Sequence, residues 1–181
     1  MQVRLIVFCK YVIVTLMKPG GLKGRRSDCP VNFAVEILGD RWSLIILRDI
    51  IFWGKRTYGD FLRSDEKIAT NILAGRLEYL ENEGLITKSK HPDKRQDVYT
   101  VTERGIDLVP MFIEMIAWSA KSEIWQSLTH SGSVEQVRFV DRALKTKNKT
   151  RLIEDVKATV RRGQSVFESV APPATGPANH R

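Results

Sequence analysis

Apolar side chains follow a helical rhythm along most of this 181-residue chain and alternate with polar ones over a short stretch in its middle. Pro30 suits the first position of a helix, where its missing N–H costs nothing, and Phe33, Ala34, Ile37 and Leu38 supply an apolar face before Gly39. Asp40 is then a good N-cap for RWSLIILRDIIFWG, a segment apolar on almost every side that must be buried, with Gly54 closing it. Thr57 with Asp60 approximates a capping box ahead of the short helix YGDFLR, and RSDEK forms the turn that follows. From Ile68 to Gly105 the pattern predicts a capped amphipathic helix, a basic two-stranded ribbon and the start of a new helix. The first of these runs from Ala69 or Thr70 to Glu83, with Leu73, Leu77 and Leu80 on its core face. Gly84 stops it. LITKSKH and QDVYTVT then alternate at period two around the turn PDKR, as a hairpin does. Helix, turn, helix and basic hairpin in that order are the parts of a winged helix-turn-helix.

The helix opposite its leucines carries Thr70, Asn71, Ala74, Gly75 and Glu78, small or polar residues that let another surface approach. The DNA major groove, about 12 Å wide, admits one α-helix whose first turns meet base edges. Asn71 suits a bidentate contact to adenine, Thr70 a thymine methyl or a phosphate, and Ala74 a methyl group. Gly75 costs the helix roughly 1 kcal/mol relative to Ala, which a close backbone approach to DNA would rationalise as well as simple tolerance does. Arg76 lies nearer the core edge, where it either clamps a phosphate or pairs with a carboxylate such as Glu36 or Asp40. The hairpin adds Lys88, Lys90, His91, Lys94 and Arg95 against Asp93 and Asp97, a set suited to phosphate contacts that position without specifying.

Charge and composition agree with a nucleic-acid partner without requiring one. Lysine and arginine number 29 against 21 acidic residues, for a formal net charge of +8 and a pI near 9.7. The 43% apolar content supports one ordinary core with appended helices. No catalytic constellation, phosphate-binding glycine loop, metal-ligand spacing or cofactor motif stands out, which argues against an enzyme. Cys9 and Cys29 form no CxxC pair and fit a reducing cytosol. Cys29 precedes Pro30 at a helix start near Arg25 and Arg26, so a redox-sensing thiolate and an inert structural thiol are both open.

After a cap at Thr102, Ile106, Val109, Phe112, Ile113 and Ile116 make one apolar stripe and Leu108, Met111, Met115 and Trp118 another, with Pro110 expected to kink the helix. A helix apolar on two sides needs two partners. The second is either another subunit, which would assign Phe112, Met115, Ile116 and Trp118 to a dimer seam, or the chain's own C-terminal segment. The expected organisation is an N-terminal extension and basic arm over 1–26, the winged helix-turn-helix over 27–122, accessory helices extending the dimer contact over 123–170, and a disordered tail over 171–181. The apolar run MQVRLIVFCKYVIVTLM admits three readings: translation that begins at Met17, an extra strand, or a targeting segment. Its uninterrupted pieces are too short for a membrane helix.

RSDCPVNFAVEILGDRWSLIILRDI, TYGDF, IATNILAGRLEYLENEGLI and YTVTERG, together spanning about residues 27 to 120, resemble the HxlR family of bacterial winged-helix transcription regulators. The resemblance implies a homodimeric, cytoplasmic activator or repressor without catalytic activity. It implies near-palindromic operators bound through the helix at Ile68 to Glu83, and dimerisation through the first helix and those after the wing. It also implies, for some members, a redox-sensing cysteine at the position of Cys29. The stretch before Met17 departs from the family pattern. A winged helix that binds only another protein is the competing reading.

Overall fold

The computed structural model describes residues 6–8, 11–13, 28–92, 95–123 and 134–167. Expectations for Cys9, the basic arm, Lys94 and the 171–181 tail lie outside them. The chain separates into two compact units, 1–37 and 38–181.

In the first unit the apolar N-terminal run gives two short antiparallel strands, β1 (Ile6–Phe8) and β2 (Tyr11–Ile13), with Val7 opposite Val12. Helix α1 (Pro30–Leu38) opens with the Phe33 amide donating to the Cys29 carbonyl at 3.0 Å. Its Val31 and Val35, one turn apart, are exposed.

The second unit is built around α2 (Arg41–Phe52). Asp40 caps it, accepting from the Trp42 and Ser43 amides at 3.0 Å each. Ile46, Leu47, Ile50, Ile51 and Phe52 are buried, while Trp42, Leu44 and Ile45 nearer its start are half-buried. Gly54 closes it at φ +64°, a conformation that favours glycine. Thr57 and Asp60 form the full capping box of α3 (Tyr58–Leu62). Helix α4 (Thr70–Asn82) lays Leu73, Leu77 and Leu80 against the core and ends before Gly84, at φ +67°. Strands β3 (Ile86–Lys90) and β4 (Asp97–Val101) pair in antiparallel register, with Lys88 opposite Tyr99 and Lys90 opposite Asp97. A bridge from Thr57 to Val98, with the Tyr99 amide donating to the Arg56 carbonyl at 2.7 Å, stitches the start of α3 to the wing. Fold class and element order thus follow the sequence pattern: a mostly helical winged helix-turn-helix.

Two expectations are corrected beyond the wing. Helix α5 (Glu103–Ile106), capped by Thr102, stops before α6 (Val109–Ser119), so Pro110 kinks nothing. It stands in the first turn of α6, where its missing N–H removes no helical bond. Phe112, assigned to a dimer seam, belongs to the chain's own core: it meets Phe52 edge-on at 6.0 Å and is 5% exposed. The C-terminal helices α7 (Val134–Lys145) and α8 (Thr150–Arg161) pack on α6. Phe139 and Phe167 close around Phe52 at 5.6 and 5.7 Å, and the Phe167 amide donates to the Phe52 carbonyl at 2.9 Å. Ion pairs Lys149–Glu114, Lys157–Asp107 and Arg161–Glu103 line the same contact. Met115 and Trp118 stay on the surface, Trp118 at 77% exposure, and Ile116 is half-buried.

Gly105 is required by a close approach rather than by its backbone angles. A Cβ there would collide with the Leu85 carbonyl oxygen and with Val101 Cγ2, both far inside van der Waals contact. Gly105→Ala is expected to force α5 off the base of the wing and to lower stability by roughly 1–3 kcal/mol. Thermal denaturation measures this, and a melting temperature equal to that of the parent chain would refute it.

Candidate nucleic-acid interface

The α3–α4 turn sets where α4 begins, and it rests on one buried acid. Asp49, in the last turns of α2, is 1% exposed. Its Oδ1 takes the Arg48 guanidinium at 2.6 Å, and its Oδ2 takes Lys55 Nζ at 2.9 Å and the Ser64 hydroxyl at 2.5 Å. Arg48 reaches on to Glu66 at 2.5 Å. Ser64 and Glu66 lie in the turn, so α2 holds it from beneath. Within it Lys67 takes φ +53°, a left-handed conformation uncommon for a side chain of its size. Burial works against the Arg48 charge, yet its hydrogen bonds to Glu66 and Asp49 and the Asp49 charge hold its pKa above the usual arginine value. The Arg48 hydrogen bond in turn holds the Glu66 carboxyl below the usual range, against a smaller opposing effect of burial.

Above this base Thr70, Asn71, Ala74, Gly75 and Glu78 are all exposed, on the side away from the leucines. A Cβ built on Gly75 meets nothing within 4 Å, so this side of α4 is open. The expected cap is absent. Ala69 holds the N-cap position and offers no side-chain hydrogen bond, because Thr70 falls one residue late, inside the helix. The first helical bond is made by the Leu73 amide, to the Ala69 carbonyl at 2.9 Å. The amides of Thr70, Asn71 and Ile72 therefore precede the ladder, where the helix dipole favours an anion. The Tyr58 hydroxyl braces this end by donating to the Thr70 carbonyl at 2.7 Å.

Arg76 pairs with Asp40 at 3.3 Å and lies over the Tyr79 ring at 5.7 Å, so its guanidinium joins α4 to the N-cap of α2. On the wing, Lys88 and Lys90 both bind Asp97, at 2.9 and 2.5 Å. The half-buried His91 closes the hairpin with its amide, which donates to the Gln96 carbonyl at 3.0 Å. Arg95 is exposed. A groove of about 400 Å³ runs between α4 and the wing, lined by Tyr58, Ala74, Glu78, Glu81, Lys88 and Asp97 among others. The structure thus gathers most of the residues singled out in the sequence on one side of α4 and the adjoining hairpin. Cys29, exposed in the first unit, stands apart from them in sequence.

Sequence reasoning missed the Asp49 assembly and the Lys–Asp97–Lys arrangement. One signal for the first was present: a carboxylate inside an otherwise apolar helix has to find cationic partners. No cluster of His, Cys, Asp and Glu able to hold a metal ion occurs among the described residues, and no described helix is long and apolar enough to cross a membrane.

A helix-turn-helix with an open second helix beside a basic β-wing defines the class of winged-helix DNA-binding regulators. Residues 37–126 match the family model described as HxlR-like helix-turn-helix, and the chain belongs to that family. The uncharacterized HTH-type transcriptional regulator sll1512 of Synechocystis is 34% identical over 88 residues, 48% of this chain and 64% of that protein. The chain thus spans a little under two thirds of that relative. The uncharacterized HTH-type transcriptional regulator YdeP of Bacillus subtilis is 32% identical over 96 residues, 52% and 74% of the two chains. The crystal structure of PA1607 superposes with a TM-score of 0.51 at 30% identity, covering 55% of this chain and 68% of that one.

The lowered pKa of Glu66 has a definite sign for stability. A carboxyl whose folded pKa lies below its unfolded value stabilises above the unfolded pKa, and that stability is lost as pH falls through the folded one. Denaturant midpoints are therefore expected to drop as pH falls below about 4.3, the ordinary glutamate value, and Glu66→Gln should flatten that slope. An unchanged pH profile in the variant would remove Glu66 from the acid response.

Proposed function

We propose that the protein is a homodimeric, sequence-specific transcription regulator of the bacterial cytoplasm. On this reading it enters the major groove of a near-palindromic operator with the helix at 69–83 and holds the DNA backbone with the wing at 85–101. The observation that carries the reading is the open side of α4, where exposed Thr70, Asn71, Ala74 and Gly75 start a helix without a side-chain cap beside a basic hairpin. Asn71 is assigned to adenine, Thr70 and Ala74 to methyl groups or phosphate, and Gly75 to close backbone approach. Lys88, Lys90, His91, Lys94 and Arg95 are assigned to phosphates, which set affinity and salt dependence. Arg76 is first a structural partner of Asp40, and a phosphate contact by it would be made from that anchored position.

Two half-sites one helical turn apart need two copies of α4 related by a two-fold axis. Met115, Ile116 and Trp118 remain the candidate seam on α6, with Phe112 behind them in the protomer core. The names of the two relatives, both HTH-type transcriptional regulators, support the regulatory part of the reading.

Gel shifts on the gene's own upstream region across a salt series test the proposal. Binding should weaken steeply as salt rises, whereas an apolar protein interface would not respond in this way. Asn71→Ala should relax preference at one position of the half-site, at a cost of about 1–3 kcal/mol in discrimination. Arg95→Ala should weaken all sequences alike and lower the salt slope by about 1. Equal effects from both substitutions would contradict the division between helix and wing. No competition by any fragment at low salt would sink the DNA reading altogether.

Cys29 is exposed, so oxidants can reach it. A sensor role for it requires that peroxide change DNA binding of the parent chain and leave Cys29→Ser unaffected, with both binding equally in reducing buffer. An equal response of the two proteins to peroxide would leave Cys29 an inert structural thiol.

A further inference from the structure

Lys88 and Lys90 are two residues apart on β3, so their side chains leave the same side of the hairpin. Asp97 stands opposite Lys90 in the ladder. Each of its carboxylate oxygens is taken by a different lysine: Oδ1 by Lys90 at 2.5 Å and Oδ2 by Lys88 at 2.9 Å. Two ammonium groups thus converge on one small anion, the arrangement a phosphate group would need. The groove beside this pair carries Glu78 and Glu81 on its α4 wall. A DNA strand passing between α4 and the wing would meet three carboxylates there, with two of the wing's cations already engaged.

We propose that Asp97 is an internal counter-ion filling a two-lysine anion cradle on the wing, so that a DNA phosphate must displace or share its carboxylate and sequence-independent binding is held down. The inference rests on the DNA reading above and deepens it. Exposed ion pairs are weakly held against water and salt, so a phosphate in the right place can replace them. On arbitrary DNA the exchange gains little, because one anion is traded for another. On the operator, base contacts from α4 hold the strand in place and the exchange goes forward. Asp97 therefore acts on the ratio of specific to non-specific affinity, the quantity that matters among many competing sites. The Asp97 carboxyl, held below the usual range by its hydrogen bonds to Lys90 and Lys88, is ionised at neutral pH as the role requires.

The test compares the full chain with Asp97→Asn, by fluorescence anisotropy on an arbitrary duplex and on the upstream region, and by the salt needed to elute each protein from heparin. Asp97→Asn should bind the arbitrary duplex on the order of tenfold tighter for each additional phosphate it engages at about 50 mM salt, with the salt slope steeper by about 1 per phosphate. The upstream region should respond less, so the specificity ratio falls. The effect should vanish when Lys88 and Lys90 are both replaced by Gln. Unchanged or weaker binding by Asp97→Asn, with its melting temperature intact, would overturn the proposal and make Asp97 a residue that positions the lysines. If the parent chain bound no duplex at low salt, the DNA reading would fail. Heparin would still judge the cradle, by later elution of Asp97→Asn in its favour or equal elution against it.

Discussion

The geometry of the α3–α4 turn, and of the open side of α4 that follows it, depends on the buried carboxylate of Asp49. An ionised group at 1% exposure persists only if its oxygens are fully engaged, and Arg48, Lys55 and Ser64 engage them. The Asp49 backbone carbonyl also accepts from the Trp53 and Lys55 amides as α2 ends. Through Ser64, and through Glu66 by way of Arg48, the same carboxylate fixes the turn that launches α4. A buried charge tolerates little displacement, because a lost partner leaves an uncompensated ion. That intolerance is what makes the turn definite, and with it the direction in which Thr70 and Asn71 are presented.

Electrostatics on the outer surface works in the opposite sense, by leaving charges loosely held. Lys88, Lys90 and Asp97 form exposed pairs that exchange partners at little cost. Arg76 lies between these regimes: 38% exposed, tied to Asp40 and stacked near Tyr79. The chain's net charge of +8 is thus a poor guide to the charge at the surface of α4 and the wing. Three carboxylates, Glu78, Glu81 and Asp97, line the groove between α4 and the wing and offset the cations beside it.

Beyond the wing, the aromatic cluster of Phe52, Phe112, Phe139 and Phe167 joins the end of α2 to the C-terminal helices. Such edge-on and stacked pairs add roughly 0.5–1.5 kcal/mol each to the area they bury. They also decide the fate of α6. With one side covered by α7 and α8, the surface that stays open is reduced to Met115, Trp118 and the edge of Ile116. The two alternatives for a helix apolar on two sides are therefore not exclusive: one side has met the C-terminal segment, and the other is free for a second chain.

What the sequence determined by itself is the local structure. Asp40 and Thr57 cap helices because their side chains reach amides two or three residues away. Gly54 and Gly84 end helices because positive φ is cheap only for glycine, and the leucine spacing orients α4 through the helical period. These are interactions within a few residues, so they can be read along the chain. The missing cap at Ala69 escapes such a reading because one residue of phase separates an N-cap from a first-turn position. What only the tertiary structure decided are the long-range pairings: Asp49 with Ser64, Arg48 with Glu66, Arg76 with Asp40, Phe52 with Phe112, Phe139 and Phe167, and Gly105 against Leu85. Each joins residues distant in sequence, and its strength depends on ångström-scale distance and on local burial. Composition and periodicity fix neither of these, so the sequence could nominate the residues of the candidate interface but not say which of their charges were already taken.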